Sequence, residues 1–102
     1  MKRDEIRIGL VGFGAMGRTH TFAVEALPFF CPELPFHAKI AGIATGHLET
    51  AKAAAEAHGI PLFSDRPEAL IENPDIDVID ICTPNIHHEA LIRAALAAGK
   101  HI

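Results

Sequence analysis

A glycine-rich turn between a strand-like segment and a helix-like segment is the feature that most constrains the fold of this chain. The turn reads Gly12-Phe13-Gly14-Ala15-Met16-Gly17, which is the pattern G-x-G-x-x-G. Residues 6–11 before it form a short, mostly apolar run typical of a buried strand, and apolar residues recur at helical spacing over residues 22–27 after it. A strand, such a turn and a helix in this order predict the first unit of a parallel α/β sheet.

Each glycine of the turn has a distinct mechanical role in this context. Gly12 permits the tight turn, Gly14 lets the backbone approach a pyrophosphate because it has no Cβ atom, and Gly17 lets the helix pack closely on the strand. The free N–H groups and partial positive charge at the start of the helix favour phosphate there. The turn therefore predicts a dinucleotide-phosphate site, and the alternative is a glycine-rich turn that holds no ligand.

Strand-like runs alternate with helix-like segments along the rest of the chain. We expect strands at residues 38–44, 61–63 and 76–81, and a fifth strand that begins at residues 100–102. We expect one helix at about residues 48–58 and a brief second one that opens with a capping box at Asp65 and Glu68. A further helix is expected to be capped by Asn85 and to end at Gly99. At 102 residues the chain is one domain at most. The alternation predicts an α/β fold, a Rossmann-like doubly wound parallel sheet with about five strands, the fifth cut short.

Two loops of the expected sheet meet at its ligand-binding edge. Ligands of open parallel sheets bind beyond the carboxyl ends of the strands. The glycine turn follows the first strand, and Thr83-Pro84-Asn85 follows the fourth. We therefore expect these loops to be spatial neighbours, although they lie about 70 positions apart in the sequence.

The end of the second strand carries no acidic residue. An Asp or Glu there would bind both hydroxyls of the adenosine ribose and repel a 2′-phosphate, but the chain has Thr45-Gly46-His47. Thr45 can donate a hydrogen bond, and a protonated His47 can approach a 2′-phosphate. The alternative is that His47 is a solvated residue at a helix start. We therefore expect the cofactor to be a nicotinamide dinucleotide, NAD or NADP, and the missing acidic residue favours a site that tolerates NADP.

Charge and composition exclude several classes of partner. Nine Lys and Arg against thirteen Asp and Glu give a formal net charge of −4, and the basic residues are scattered, so a nucleic-acid partner is not expected. No apolar run approaches the length of a membrane span, and the N-terminus has no apolar signal core. Cys31 and Cys82 share no C-x-x-C or metal-like spacing, which favours reduced thiols in a cytoplasmic protein.

Neither a metal site nor a covalent nucleophile is indicated by local spacing. The chain has seven histidines, but His87 and His88 are adjacent, and on a helix they point about 100° apart. No H-E-x-x-H or comparable spacing occurs, so no metal is expected. No G-x-S-x-G sequence and no supported Cys–His pairing suggest covalent catalysis.

Residues 27–37 form an irregular segment rich in proline and phenylalanine. The segment holds three of the seven prolines and three of the six phenylalanines, a density that argues against a regular helix or central strand. One interpretation is a long connection whose aromatic side chains pack over the sheet edge. The other is an exposed apolar patch, formed by Phe29, Phe30 and Phe36, that meets a partner subunit or domain.

Three segments of the chain resemble the glucose–fructose oxidoreductase/inositol dehydrogenase family, written Gfo/Idh/MocA. They are residues 8–20 with the glycine turn, residues 73–85 ending in Thr83-Pro84-Asn85, and residues 97–102. The likeness spans almost the whole chain, and the second and third segments are more specific than the glycine pattern. The resemblance implies NAD- or NADP-dependent oxidation or reduction of a sugar, polyol or related alcohol by hydride transfer.

The resemblance also implies roles for individual positions. The three glycines of the turn would hold the pyrophosphate, and Thr83-Pro84-Asn85 would line the nicotinamide side of the cleft. His88 matches the histidine of the family pattern P-N-x-x-H. His20 matches a recurrent family position, with helix packing as the alternative role, and His87 matches no functional position.

Two departures from the family pattern limit what these residues are expected to do. The acidic residue after the second strand is missing, and Ile102 ends the chain just before a Glu-Lys-Pro motif whose lysine the family uses near the reacting carbon. The resemblance also implies a C-terminal substrate domain with an acid/base histidine, which we expect to lie outside these 102 residues. We therefore expect residues 1–102 to be a dinucleotide-binding domain fragment of an oxidoreductase, inactive alone and without a catalytic residue. The alternative is a stand-alone NAD(P)-binding regulatory module.

The shortened fifth strand has a physical consequence for assembly. It leaves backbone groups of the fourth strand partly unpaired, and an open sheet edge is a template for pairing with another chain. We therefore expect a homo-oligomer or strand-exchanged self-association.

Overall fold

A computed structural model describes residues 4–102, in which a four-stranded parallel sheet forms the centre of the chain. The strand order is β3-β2-β1-β4, which matches the first four positions of the Rossmann order. The elements in chain order are β1 (Glu5–Val11), α1 (Ala15–Phe30), β2 (His37–Ala44), α2 (Leu48–His58), β3 (Leu62–Ser64), α3 (Glu68–Ile71), β4 (Val78–Ile81), a 3₁₀ turn (Asn85–His87) and α4 (His88–Ala97). The predicted Rossmann-like α/β fold is confirmed.

The expected fifth strand is represented by a single bridged residue. His101 pairs with Val78 in a single parallel bridge, in which the Ile79 N–H donates to the His101 carbonyl at 2.8 Å and the His101 N–H donates to the Asp77 carbonyl at 3.1 Å. The described sheet therefore has four strands rather than five, because one bridged residue does not make a strand.

Two hydrophobic clusters pack on opposite faces of the sheet. Neighbouring residues on a strand point to opposite faces, so Leu10 and Val11 belong to different clusters. Leu10 packs with Ala54 and Ala55 of α2, and Val11 packs in the cluster that contains α3 residues and Ala95 of α4. Helices therefore cover both faces, as a doubly wound sheet requires.

Backbone hydrogen bonds align the carboxyl ends of the strands. The Gly12 N–H donates to the Ala44 carbonyl at 2.8 Å, and the Cys82 N–H donates to the Val11 carbonyl at 2.7 Å. The Thr45 N–H donates to the Ser64 carbonyl at 3.2 Å. The loops that follow all four strands consequently begin at one edge of the sheet.

Helix α1 continues through part of the segment for which an irregular path was expected. It ends at Phe30 with Pro28 inside its last turn, and the Cys31 N–H donates to the Leu27 carbonyl at 2.8 Å. Proline removes one N–H donor and crowds the turn before it, yet the helical path continues as far as the bond from the Cys31 N–H to the Leu27 carbonyl. The expectation that proline density excludes a helix was therefore wrong for residues 27–30, whereas residues 31–36 are irregular.

Two of the three aromatic side chains of this segment, Phe29 and Phe30, face solvent and do not pack over the sheet edge. Phe29 is 82% exposed, Phe30 is 71% exposed, and their rings contact each other edge to face. Phe36 is 38% exposed and lies in a shallow depression with Leu27 and Leu34. Phe29 and Phe30, together with Phe22 at 68% exposure, define an exposed α1 patch.

Neither predicted side-chain cap forms. Helix α3 follows Pro67 and α4 follows the 3₁₀ turn, and neither start has a side-chain cap bond, so the expected roles of Asp65 and Asn85 were wrong. Pro84 sets an extended backbone that leads into a 3₁₀ turn beginning at Asn85, which places this residue inside the turn. The predicted glycine ends hold, since Gly59 has φ +65° and Gly99 has φ +76°. Among residues 4–102, no helix is long and apolar enough to cross a membrane.

Candidate functional site

A cavity of about 670 Å³ lies at the carboxyl edge of the sheet. It is bounded by the loops after β1, β2, β3 and β4 and by the start of α4. The predicted site residues that line it are Gly12, Phe13, Gly14, Ala15, Met16, Thr45, Gly46, Thr83 and Pro84. The two loops that lie about 70 positions apart in the sequence therefore share one cavity, as the sheet topology predicted.

The three glycines of the turn meet different surroundings. Gly12 has φ +98°, and a Cβ atom there would lie 2.6 Å from the Cys82 carbonyl oxygen. A Cβ atom on Gly17 would overlap the Gly12 carbonyl oxygen, whereas one on Gly14 would have no protein atom within 4 Å. The fold thus requires the first and third glycines. It does not require the second, which faces the cavity.

The start of α1 leaves donors available at this cavity. Gly14 is the N-terminal cap residue without a side-chain cap bond, and the first turn of α1 contains no acidic residue. The first N–H groups of a helix have no partner within the helix, and they carry its partial positive charge. Ala15 and Met16, in this first turn, line the cavity. The arrangement favours a bound phosphate.

Phe13 forms one wall of the turn. Its ring contacts the buried cluster beneath α2, stacks edge to face on His58 at 5.8 Å between centroids, and lies 4.7 Å from the Arg18 guanidinium carbon. These contacts hold the ring on the α2 side of the glycine turn. The backbone around Gly14 is therefore supported from that side.

The loop after β2 contributes Thr45 and Gly46 to the cavity, and His47 lies outside the lining. The Thr45 hydroxyl donates to the His47 carbonyl at 2.7 Å, so this donor is already engaged within the loop. His47 is exposed and precedes α2. A Cβ atom on Gly46 would have no protein atom within 4 Å, as at Gly14.

Sequence reasoning assigned Asp65 to a helix cap and missed its place at the cavity. Asp65 follows β3 and lines the cavity beside Thr45 and Gly46. The signal was available, because β3 neighbours β2 in a parallel sheet and the residues after both strands reach the same edge. An acidic residue therefore lines the cavity after β3 and not after β2.

The loop after β4 presents Thr83 and Pro84 to the cavity, whereas Asn85 and His88 lie outside its lining. The His88 Nε2 atom lies 2.9 Å from the Thr83 carbonyl oxygen, so this ring supports the loop. His87, for which no role was expected, lines the cavity together with Ala90 and Leu91 of α4. The signal missed was the position of α4, whose first turns begin at the same sheet edge.

A parallel sheet of this order, with a glycine turn leading from its central strand into a helix, is the nucleotide-binding architecture of Rossmann domains. The sequence model of the Gfo/Idh/MocA oxidoreductases, described as an oxidoreductase family with an NAD-binding Rossmann fold, matches residues 6–102. The chain belongs to this family, and it is an NAD-binding domain of the oxidoreductase type.

Similar proteins act on sugars and polyols according to their names. The chain is 39% identical to levoglucosan dehydrogenase of Pseudarthrobacter phenanthrenivorans, over 97% of this chain and 25% of that protein. It is 31% identical to inositol 2-dehydrogenase of Paracoccus denitrificans, over 93% of this chain and 26% of that protein. A structure of levoglucosan dehydrogenase in complex with NADH and levoglucosan superimposes with a TM-score of 0.91 at 38% identity, over 96% of this chain and 26% of that one. The chain thus spans about a quarter of the length of these relatives.

Proposed function

We propose that this chain holds NAD(H) or NADP(H) in the cavity at the carboxyl edge and serves an oxidoreductase acting on a sugar, polyol or related alcohol. The surroundings of Gly14 carry the proposal. Among residues 4–102, no atom lies within 4 Å of a Cβ atom placed there apart from the immediate chain neighbours, so packing of these residues does not explain the glycine. A ligand that approaches the backbone closely explains it.

Three groups of cavity residues would contact three different parts of the dinucleotide. Gly14 and the first turn of α1 would hold the pyrophosphate through backbone N–H groups, whereas the Gly12 N–H already donates to the Ala44 carbonyl. Thr45 and Gly46 would face the adenosine side, and Thr83-Pro84 would face the nicotinamide side. The bound nicotinamide would accept or donate a hydride at this end of the cavity.

The chain's own residues position the cofactor and shape one wall of the cleft. His88 holds the Thr83 carbonyl, and Phe13 supports the glycine turn. The chain spans about a quarter of the length of its relatives, so we assign it cofactor binding and propose no catalytic residue among its side chains.

We also propose that the cavity tolerates NADP. No acidic residue follows β2, so the side chains directly after that strand do not repel a 2′-phosphate. Asp65 is an acidic side chain on the same wall. We expect NADPH to bind at least as tightly as NADH, with Asp65 limiting the margin, and a strong preference for NADH would contradict this part.

We also propose a cytoplasmic location. Cys31 and Cys82 are both free thiols, the state favoured in a reducing compartment. Detection of the protein in a fraction other than the cytoplasm would contradict this proposal.

Titration with NADH and NADPH tests the proposal directly. Gly14→Ala places a methyl group where the pyrophosphate would lie, and we expect a loss of about tenfold or more in cofactor affinity with an unchanged melting temperature. Thr19→Ala is the control, since Thr19 lies on the same helix and bonds only to the Ala15 carbonyl among the described contacts. Equal affinity of Gly14→Ala and the unsubstituted chain would refute binding at this turn.

A further inference from the structure

Three side chains of metal-binding type converge below the glycine turn. His20 lies on α1, Asp80 on β4 and Cys82 directly after β4. The His20 Nδ1 atom lies 2.7 Å from Asp80 Oδ2 and 3.3 Å from Cys82 Sγ, and Cys82 Sγ lies 3.5 Å from Asp80 Oδ1. One ligand atom from each residue falls within 4.8 Å of the other two.

These distances are close to those around a tetrahedral zinc ion. Zn–N and Zn–O bonds of about 2.0–2.1 Å and a Zn–S bond of about 2.3 Å place ligand atoms roughly 3.3–3.6 Å apart. The distances from Cys82 Sγ to His20 Nδ1 and to Asp80 Oδ1 fit this range, whereas His20 contacts the other carboxylate oxygen, Oδ2. For one Asp80 oxygen to bind the ion, the carboxylate must rotate, and if Oδ2 is that oxygen its distance to Nδ1 must open by about 0.6 Å.

We propose that His20, Asp80 and Cys82 bind a zinc ion with three protein ligands and one solvent position. An imidazole, a thiolate and a carboxylate together select Zn²⁺ over Mg²⁺ and Ca²⁺, which prefer oxygen ligands alone. With a neutral imidazole, the thiolate and carboxylate together balance the two charges of the ion. The bound state is therefore neutral, which suits a site that is only partly exposed.

Binding requires a proton to leave the cysteine. In the metal-free chain the Cys82 thiol donates to Asp80 Oδ1 at 3.5 Å and therefore carries a proton. The ion displaces this proton to solvent as the Zn–S bond forms. The ion needs the Nδ1 lone pair of His20, so the proton of the Nδ1–Asp80 hydrogen bond leaves Nδ1 and the bound ring carries its proton on Nε2.

The site is open to solvent and adjoins the cofactor cavity. The side chain of His20 is 40% exposed and that of Asp80 is 23% exposed, so an ion has a path of entry. Cys82 also lines the cavity, and its Cβ atom lies 3.8 Å from a Cβ atom placed on Gly17. Zinc at this site would therefore link α1 to the end of β4 immediately below the glycine turn.

Cobalt titration of the metal-free protein tests the site without any cofactor. We expect one Co²⁺ per chain, an absorption band from thiolate-to-cobalt charge transfer, and loss of that band when Zn²⁺ is added. Cys82→Ser should abolish the band, and Asp80→Asn should weaken binding by about tenfold or more. Cys31→Ser is the matched control because Cys31 is the other free thiol and lies outside the cluster.

The outcomes separate this site from the cofactor site. The band must persist in Cys31→Ser and in Gly14→Ala, since neither residue belongs to the cluster. A chain that gives no cobalt band, or one whose band survives Cys82→Ser, overturns the proposal, provided circular dichroism shows that each variant is folded. Absence of NADH binding with retained cobalt binding would contradict the proposed function but not the zinc site.

Discussion

The carbonyl oxygen of Cys82 lies so close to Gly12 that a Cβ atom added to Gly12 would be only 2.6 Å from it. The backbone of the glycine turn therefore packs directly against the backbone at the end of β4. The same contact brings Thr83 and Pro84 into the cavity that the glycine turn opens. The glycine pattern therefore shapes both walls of the site, and only Gly14 remains free for a ligand.

Gly12→Ala should be strongly destabilising. It combines a backbone conformation of φ +98° with overlap on the Cys82 carbonyl, and we expect the free energy of unfolding in urea to fall by about 3 kcal/mol or more. Gly59→Ala is the matched control, because Gly59 also has a positive φ but no protein atom within 4 Å of an added Cβ. A loss of about 1 kcal/mol is expected there, and equal losses in both variants would contradict a steric role for Cys82.

The alternation of short apolar runs predicted the sheet because hydrophobic periodicity is local in sequence. The same locality explains what sequence reasoning missed. His20 and Asp80 lie 60 positions apart, and only the pairing of β1 with β4 brings α1 over Asp80. Asp65 was assigned to a cap because that pattern is local, whereas its place in the cavity depends on β3 lying next to β2.

Asp65→Asn should raise the affinity for NADPH relative to that for NADH. Removing a carboxylate from the cavity wall removes repulsion of the 2′-phosphate, for which we expect about a fivefold change in the affinity ratio, or roughly 1 kcal/mol. Asp75→Asn is the control, since Asp75 precedes β4 and does not line the cavity. Paired titrations of both cofactors give the ratio. An unchanged ratio in Asp65→Asn would place the adenosine ribose elsewhere.

Cys82 should resist alkylation in the folded, metal-free chain. Its thiol pKa is raised to about 12 by burial and by Asp80, so almost no thiolate is present at pH 8. Iodoacetamide followed by peptide mass spectrometry should label Cys31, which is exposed, much faster than Cys82. Because the folded-state pKa is raised, the protonated thiol contributes stability below about pH 9, and this contribution is lost as the pH rises towards 12. Equal labelling of both thiols would contradict the raised pKa.

Lys100 should stabilise the chain through the loop before β4. Its Nζ atom donates to the carbonyls of Asn73 and Ile76, each at 2.6 Å. Hydrogen bonds from a charged donor are strong, so Lys100→Met should lower the free energy of unfolding by about 2 kcal/mol in urea denaturation. Lys52→Met, at an exposed position on α2, is the control and should change it by less than about 0.5 kcal/mol. Similar losses in both variants would show that these two hydrogen bonds contribute little.

The exposed α1 patch should drive self-association of the chain. Phe22, Phe29 and Phe30 lie on one helix and are each more than two-thirds exposed, and exposed apolar side chains of this kind favour contact with another molecule. We expect sedimentation equilibrium to show species larger than the monomer at high concentration. Replacing Phe29 and Phe30 together by Ser should shift the distribution to the monomer with a melting temperature close to that of the unsubstituted chain, because exposed side chains contribute little to folding.

The double variant also distinguishes this patch from the open edge of β4. Ile79 bonds to His101, and the described residues place no further strand on that edge, so we expect it to offer a second route for pairing with another chain. Association that persists in the Phe29/Phe30 variant at unchanged strength would assign the contact to the β4 edge and refute the role of the patch. A monomer at high concentration in the unsubstituted chain would exclude both routes.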